Sequence, residues 1–167
     1  MLKDPNFDGS VILLCSYNTE GAFGLILNQP VPIPLHIVLE SLELPSDIDT
    51  DIVCCMGGPV QQEACFVVHS APKNDHDMWG ITPTISVTSS RVRLHDCLNG
   101  GHAFRVYLGY AGWGPGQLDE EIESGAWLYS DATSELVFDT DPLILYRCAL
   151  AELGLTPEQI AMKPYEA

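Results

Sequence analysis

The sequence predicts an α+β fold, a single compact domain of mostly antiparallel sheet with several short helices. Three observations predict it. The length of 167 residues is that of one domain. The 46% of hydrophobic residues can supply a core. Apolar runs of strand length alternate with a few helical patterns in no regular βαβ order. We therefore expect residues 1–167 to form one domain.

The N-terminal part is predicted to begin with a β-hairpin. Residues 10–17 and 22–27 are apolar runs of strand length, and the turn-forming residues 18–21 separate them, which favours antiparallel pairing. Asn28-Gln29-Pro30 should end the second strand, because proline cannot donate a hydrogen bond to a sheet. Apolar residues then recur at helical spacing over 35–42, which predicts a short amphipathic helix.

The middle of the chain is predicted to hold four more strands, one helix and two polar loops. The strands are apolar runs at residues 52–56, 64–69, 85–88 and 105–110. Residues 91–99 carry a helical pattern. Residues 45–51 and 70–80 are polar and aperiodic, so we expect surface loops there, the second of them mobile.

The C-terminal part is predicted to be mainly helical. Helix formers at 117–124 and a short apolar run at 127–129 predict a helix followed by a strand. A second helix should start at Asp141-Pro142, a typical N-cap and N1 pair, and end at Gly154. A brief terminal helix should follow Thr156. The apolar stripe of the second helix consists of Leu143, Tyr146, Leu150 and Leu153.

The charge balance limits the classes of partner. The chain has 7 lysine and arginine residues against 23 aspartate and glutamate residues, a net charge of −16 at pH 7. Affinity for nucleic acid comes largely from Lys and Arg displacing counterions, so we expect no nucleic-acid partner and no anionic membrane. No apolar run approaches the roughly 20 residues that span a bilayer, and residues 1–6 lack the pattern of a secretory leader. We therefore expect a cytosolic protein.

Six cysteines are spread over the chain in no disulfide or zinc pattern: Cys15, Cys54, Cys55, Cys65, Cys97 and Cys148. Free cysteine is among the most buried residue types, so we expect mostly reduced thiols in the core. A cysteine nucleophile with His69 as its base is the alternative. Cys65 and His69 would lie about 13 Å apart along one strand, which leaves only Cys15 as a geometrically open partner of His69.

One cluster of polar residues is a candidate metal site. Oxygen and imidazole donors come close together in the loop at 70–80 and in the helix at 91–99: Asp75, His76, Asp77, His95 and Asp96. No histidine pair at i, i+4 and no Cys-x-x-Cys accompanies them, so we interpret the cluster as solvated polar residues. We expect no bound metal and no cofactor.

Two glycine-rich turns stand out from this background. Gly57-Gly58-Pro59 follows a predicted strand, and residues 109–118, GYAGWGPGQL, join a strand to a helix. Glycine permits positive φ or a close approach of two backbones. The glycine spacing matches neither a Walker loop nor Gly-x-Gly-x-x-Gly. A structural turn is one interpretation of 109–118 and an anion site at the helix start is the other, although the acidic residues 119–121 would repel a phosphate there.

The two turns define the candidate binding site. Function often resides on loops at strand ends. We expect a set of such residues to converge on one surface that binds a ligand or partner: Asn28, Gly57, Gly58, Pro59, Gly112, Trp113, Gly116 and Gln117. Trp113 offers a stacking face and an N–H donor. The alternative is that Trp113 and Pro115 fill the core beneath a glycine-rich turn.

Distinctive motifs along nearly the whole chain carry a family resemblance. They are Asp4-Pro5-Asn6-Phe7 before SVILLC, GAFGLILNQP, Gly57-Gly58-Pro59-Val60, and above all GYAGWGPGQL with Trp127-Leu128 downstream. By these motifs the sequence resembles the AlgH/YqgE family of small bacterial proteins. The resemblance implies a compact α+β fold with strongly bent sheets. Through the AlgH name it also implies a label of transcriptional regulator, with no established activity. The N-terminal strand that usually precedes Asp-Pro-Asn-Phe in this family is expected to be missing or divergent.

Together these observations favour a cytosolic accessory or regulatory protein that binds a small ligand or a protein partner through its strand-end turns. An enzyme of unknown reaction that uses the same cleft is the first alternative, and the sequence identifies no catalytic residue for it. A DNA-binding transcriptional regulator is the second alternative, which the net charge of −16 disfavours.

Overall fold

The computed structural model describes residues 9–45, 52–71, 76 and 78–161. Over these residues the fold is α+β, as the sequence predicts. The strands are β1 (Ile12–Asn18), β2 (Gly21–Ile26), β3 (Pro30–Pro34), β4 (Val53–Met56), β5 (Val60–His69), β6 (Met78–Thr82), β7 (Ile85–Thr88) and β8 (Phe104–Trp113). The helices are α1 (Leu35–Ser41), α2 (Arg91–Asn99), α3 (Gln117–Glu123), α4 (Leu145–Glu152) and α5 (Pro157–Ala161), and a π-helix spans Glu135–Asp139.

One sheet contains all eight strands. Its main path is β1-β2-β8-β5-β7-β6, in which each pair of neighbours is antiparallel. The two end strands, β1 and β6, lie beside each other, so the sheet is bent until it nearly closes. A branch leaves this path at β8, where β4 pairs with β8 in parallel and β3 pairs with β4. The sheet is therefore mostly antiparallel, and its curvature gives it an inner and an outer face.

Each face of the sheet carries its own hydrophobic core. The inner face packs side chains such as Leu25, Val68 and Tyr107 against Val137 of the π-helix and Leu145 of α4. The outer face is covered by α1 and α2, through apolar residues that include Leu35, Leu39 and Leu94. Strand residues alternate between the two faces because successive side chains point to opposite sides of a strand.

Arg105 fixes the π-helix to the inner side of the sheet. Its guanidinium donates to the backbone carbonyls of Phe138 at 2.8 Å and Thr140 at 3.2 Å. These carbonyls lie at the end of the π-helix, where backbone acceptors lack partners and a cation is favourable. These two hydrogen bonds explain how the π-helix, which does not pair with the sheet, stays attached to β8.

Two strands were missed and one predicted strand is wrong. The three prolines of β3 led us to expect the chain to leave the sheet at Pro30, but β3 is an edge strand, where a missing N–H donor is tolerated. β6 lies at the end of the segment 70–80 that we predicted as loop. The predicted strand at 127–129 does not form. Trp127 lies in a coil instead, and its apolar side chain packs beside α3.

The last long helix is shorter than predicted. α4 begins at Leu145, and Leu143, which we expected on its buried stripe, is 80% exposed. The Asp141 carboxylate accepts from the Leu143 N–H at 2.8 Å. Asp141-Pro142, which we expected to begin the helix, therefore forms a turn before it. The Asp4-Pro5-Asn6-Phe7 motif and most of the predicted loop at 45–51 lie outside the described residues. In the described part of the chain, no helix is both long and apolar enough to cross a membrane.

Candidate functional site

The Gly57-Gly58 turn lies at the point where β8 changes its neighbour. Residues 107 and 108 of β8 pair with β4, and residues 111–113 pair with β2. Between them Gly57 donates to the Leu108 carbonyl at 2.7 Å and accepts from the Ile26 N–H at 2.7 Å. Gly57 therefore joins the branch strand to both β2 and β8.

This junction requires glycine because two backbones touch there. A Cβ on Gly58 would lie 2.0 Å from the Tyr110 carbonyl carbon, and one on Gly57 would lie 2.4 Å from the Gly109 oxygen. Gly109 has φ +70° and faces the Gly58 oxygen, which a Cβ on Gly109 would approach to 2.5 Å. Only residues without a Cβ permit such contacts, so these glycines are explained by the fold.

Asn28 also has a structural role. Its Oδ1 accepts from the Val11 N–H at 2.9 Å, and its Nδ2 donates to the Gly9 carbonyl at 2.9 Å. Both side-chain groups thus hold the segment before β1 against the end of β2. In this structure the amide is occupied by the protein itself.

A cavity of about 340 Å³ opens beside the Gly58-Pro59 turn. Its volume is at the small end of the range for ligand pockets, roughly 300–1,000 Å³. It contains two of the predicted site residues, Gly58 and Pro59, and adds residues that the sequence did not indicate. The lining consists of Ile26, Gln29, Val31, Met56, Gly58, Pro59 and Gln62. Gln62 lies in no sequence motif, and Gln29 lies in GAFGLILNQP but was not among the predicted site residues. Only the branch in the sheet brings β2, β3, β4 and β5 together here.

An irregular segment of β5 forms one wall of this cavity. The pairing of β5 with β8 shifts between Val60 and Cys65, and Gln61 has φ +45°. This left-handed region is unfavourable for a residue with a side chain, by roughly 1–2 kcal/mol. Residues held in such conformations are frequent at ligand sites. Gln62, the next residue in this bulge, is part of the cavity lining.

The second glycine-rich motif lies elsewhere on the sheet and forms a hydrogen-bonded clamp. Trp113 is 8% exposed, and its indole N–H donates to the Glu121 Oε2 at 2.9 Å. The Trp127 indole N–H donates to the same oxygen at 2.7 Å. The two indoles meet edge to face, with centroids 6.1 Å apart. Glu121, which sequence reasoning missed, is thus the centre of the motif.

Gln117 completes this clamp. Its Oε1 accepts from the Gly114 N–H at 3.0 Å, and its Nε2 donates to the Glu121 Oε1 at 3.0 Å. Gly116 precedes α3 with φ +74°, a conformation that favours glycine. Trp113 and Leu118 share a small core with Ala111. These contacts match the alternative interpretation for Trp113, which fills a core beneath the turn, but not for Pro115, which is exposed.

Most of the predicted site residues therefore lie in two places, and Asn28, which holds the segment before β1, belongs to neither. Gly58 and Pro59 line the cavity, and Gly57 lies in the backbone junction next to it. Trp113 and Gln117 belong to the clamp, whereas Gly112 is exposed in β8, opposite Phe23 of β2. None of the residues from 112 to 117 lines the cavity. The cavity and the clamp are distinct features of the same sheet.

The cysteine hypothesis has no supporting geometry. All six thiols are free. Burial raises the pKa of Cys15 and the pKa of Cys65 to about 12, so neither is a thiolate near neutral pH. Cys15 packs on the inner face, whereas His69 lies on the side of β5 that faces α2. The pair that the sequence left open is therefore separated by the sheet.

His69 is a buried histidine without a partner among the described residues. Its exposed fraction is 0%, and neither ring nitrogen has a hydrogen bond there. Burial lowers its pKa below 6.5, and the nearby His102 and Arg93 lower it further. This burial could not be predicted from the sequence, because a position in a strand does not show which face of the sheet a helix will cover.

The metal site and the DNA-binding role find little support in the described part of the chain. His95 and Asp96 are exposed on α2, His76 is exposed, and Asp75 and Asp77 lie outside the described residues. No three His, Cys, Asp or Glu side chains within the described ranges form a metal site. The two arginines of α2, which are the cations relevant to DNA binding, have partners within the protein. Arg91 donates to the Leu42 carbonyl, and Arg93 pairs with Asp96 at 3.5 Å.

The nearly closed, branched sheet with helices on both faces defines a class of small α+β proteins. The chain belongs to the AlgH-like family (DUF179), whose family model matches residues 1–158. A UPF0301 protein of Paracoccus denitrificans is 38% identical over 163 residues, which cover 93% of this chain and 86% of that protein. A UPF0301 protein of Thioalkalivibrio sulfidiphilus is 38% identical over 157 residues, covering 92% and 84%.

Solved structures show the same fold. The solution structure of the AlgH protein from Pseudomonas aeruginosa matches with a TM-score of 0.80 and 32% identity, over 99% of this chain and 90% of that one. The crystal structure of protein DIP2367 from Corynebacterium diphtheriae matches with a TM-score of 0.67 over 86% and 76% of the two chains. Its identity of 21% supports the fold alone.

Proposed function

We propose that this AlgH-like protein is a cytosolic accessory or regulatory protein that binds a small ligand at the Gly58-Pro59 turn. The cavity of about 340 Å³ beside that turn is the observation that supports the proposal. It combines an apolar floor with polar side chains at its rim, which is the usual composition of a ligand pocket. It also lies on loops at strand ends, where binding residues are frequent.

The backbone around the cavity favours binding without a large rearrangement. Gly57 is held by hydrogen bonds of 2.7 Å to both β2 and β8. Gly58 packs directly on the Tyr110 backbone. Walls that are fixed in this way lose little conformational entropy when a ligand enters.

The residues around this site also bear on the alternatives to ligand binding, which are catalysis, a protein partner and DNA binding. None of the described residues that line it has an ionisable side chain, so acid–base catalysis by these residues would need a group supplied by the ligand. A protein partner at the same turn is the second candidate, because Pro59 and Val60 are exposed apolar residues beside the cavity. A DNA-binding role has less support, since the net charge is −16 and both arginines of the α2 pair have partners.

Chemical-shift mapping with a metabolite panel tests the proposal. We expect at least one compound to shift the backbone amides of Gly58 and Gln62 and the side-chain amide of Gln29. A panel that shifts no resonance, or shifts only residues far from the turn, would contradict the proposal. Turnover of the bound compound would instead support the enzyme alternative.

A blocking variant supplies the control. Gln62→Trp places a large side chain at the rim and should remove the shifts, whereas Glu63→Trp changes an exposed neighbour outside the lining and should keep them. Equal loss in both variants would point to a general disturbance of β5. Backbone spectra of the free variants check that each is folded.

A further inference from the structure

Among the residues that the structure describes, the cavity lining is electrically neutral. Ile26, Val31 and Met56 form its apolar part, and Ile26 is only 2% exposed. The polar side chains are the amides of Gln29 and Gln62. A charged ligand would lose hydration on entering and gain no ion pair, which is costly for a charge and much less so for a neutral polar group. The net charge of −16 further disfavours an anion.

The two glutamine amides are available for a ligand. Within the described ranges, neither side chain has a hydrogen bond to another residue, and both residues are exposed. Each amide offers a carbonyl acceptor and two N–H donors. An amide in the ligand presents the complementary donor and acceptor side by side, so it can satisfy both kinds of group.

The backbone holds these two residues in place. The Gln29 carbonyl accepts from the Met56 N–H at 2.8 Å. The Gln62 Cα lies against Gly109, where a Cβ would approach it to 3.2 Å. The amides therefore project from fixed points on β5 and at the start of β3. Such fixed points favour a rigid ligand over a flexible one.

From this geometry we propose that the cavity takes an uncharged, rigid molecule with an amide-type donor and acceptor, a carboxamide or a ring lactam. Its apolar part packs on Ile26, Val31 and Met56, and its amide bonds to Gln29 and Gln62. The inference rests on the proposed function, because it names the ligand class of the same site.

Three pyridines that differ in one substituent test the ligand class. Nicotinamide is neutral and carries an amide, nicotinate is an anion, and 3-picolylamine is a cation near neutral pH. Each is titrated to about 10 mM, where ligands bound by only a few kcal/mol are detectable, while the resonances of Gly58 and Gln62 are followed. We expect nicotinamide to bind at least about tenfold more tightly than either charged probe.

The outcomes distinguish the inference from the proposed function. Binding of nicotinate or 3-picolylamine as tightly as nicotinamide overturns the neutral-amide inference and leaves the ligand site in place. If none of the three shifts these resonances while the metabolite panel does, the inference also fails alone. If no compound of either set binds, both fail.

A pair of variants locates the amide contact. Gln62→Leu keeps the size of the side chain and removes its hydrogen bonds, so nicotinamide affinity should fall about tenfold. Glu63→Leu alters the following residue, which is exposed and does not line the cavity, and should leave the affinity unchanged. An unchanged affinity in Gln62→Leu would overturn the assigned contact.

Discussion

The buried indole of Trp113 donates its N–H to the Glu121 carboxylate at 2.9 Å, across the turn that joins β8 to α3. The same carboxylate accepts from Trp127 and Gln117. A single acidic residue therefore satisfies three donors from three separate parts of the chain. Because a buried donor without a partner is costly, Glu121 binds α3 and the following coil to the sheet.

Replacing Glu121 should destabilise the protein more than any other acidic residue of α3. Glu121→Leu leaves the indole N–H of Trp113 buried and unsatisfied, which should lower the free energy of unfolding by about 2–3 kcal/mol. Urea unfolding followed by tryptophan fluorescence measures the change. Glu123→Leu alters an exposed residue of the same helix and should stay within about 0.5 kcal/mol. Equal effects of the two variants would contradict the clamp.

The Gly58 junction leads to a second prediction. Gly58→Ala forces a Cβ to within 2.0 Å of the Tyr110 backbone, so β8 must shift, and stability should fall by at least about 3 kcal/mol. Gly112→Ala is the matched control, because the nearest atom to its Cβ is a Tyr110 ring carbon at 3.5 Å. Urea midpoints at constant slope give the comparison. A Gly58→Ala protein as stable as Gly112→Ala would show that the two backbones can separate cheaply.

The left-handed conformation of Gln61 should be relieved by glycine. Glycine populates positive φ without the roughly 1–2 kcal/mol penalty of other residues, and it loses about 0.5–1 kcal/mol of that gain through its extra flexibility. Gln61→Gly should therefore stabilise the protein by about 0.5–1 kcal/mol in thermal or urea unfolding. Gln62→Gly, one residue further along β5, should have the opposite sign. Destabilisation in both variants would contradict the assigned strain.

Local patterns predicted many of the elements well. The β1–β2 hairpin and α2 follow from residues that are adjacent in sequence, and the structure confirms both. The prediction failed where tertiary position overrides local preference. The prolines of β3 are tolerated because, among the described strands, only β4 pairs with it and its other edge is open. The apolar run at Trp127 packs beside α3 instead of pairing in the sheet.

The candidate site was predicted only in part, for a related physical reason. Glycines mark places where the backbone is unusual, but the same signal arises from a close contact, as at Gly58, and from a helix start, as at Gly116. Gln29 and Gln62 carry no such signal. They are brought together by the branch at β8, a relationship between distant segments that spacing along one sequence does not contain.

The buried imidazole of His69 should make the protein less stable in mild acid. Its pKa in the folded protein is below the ordinary 6.5 because burial, and then the nearby His102 and Arg93, disfavour the charged form. The unfolded chain therefore takes up the proton first as the pH falls. The contribution of neutral His69 to stability is complete above pH 6.5 and is lost below it, by up to about 1.4 kcal/mol per pH unit.

Urea unfolding between pH 8 and pH 5 measures this loss. His69→Leu cannot bind a proton and removes two unsatisfied nitrogens, so its stability should change less steeply below pH 6.5 than that of the natural sequence. His95→Leu, which changes an exposed histidine of α2, should keep the original slope. If His69→Leu shows the same slope as the natural sequence, protonation of other groups causes the acid sensitivity, and His69 must gain a partner that compensates for its charge.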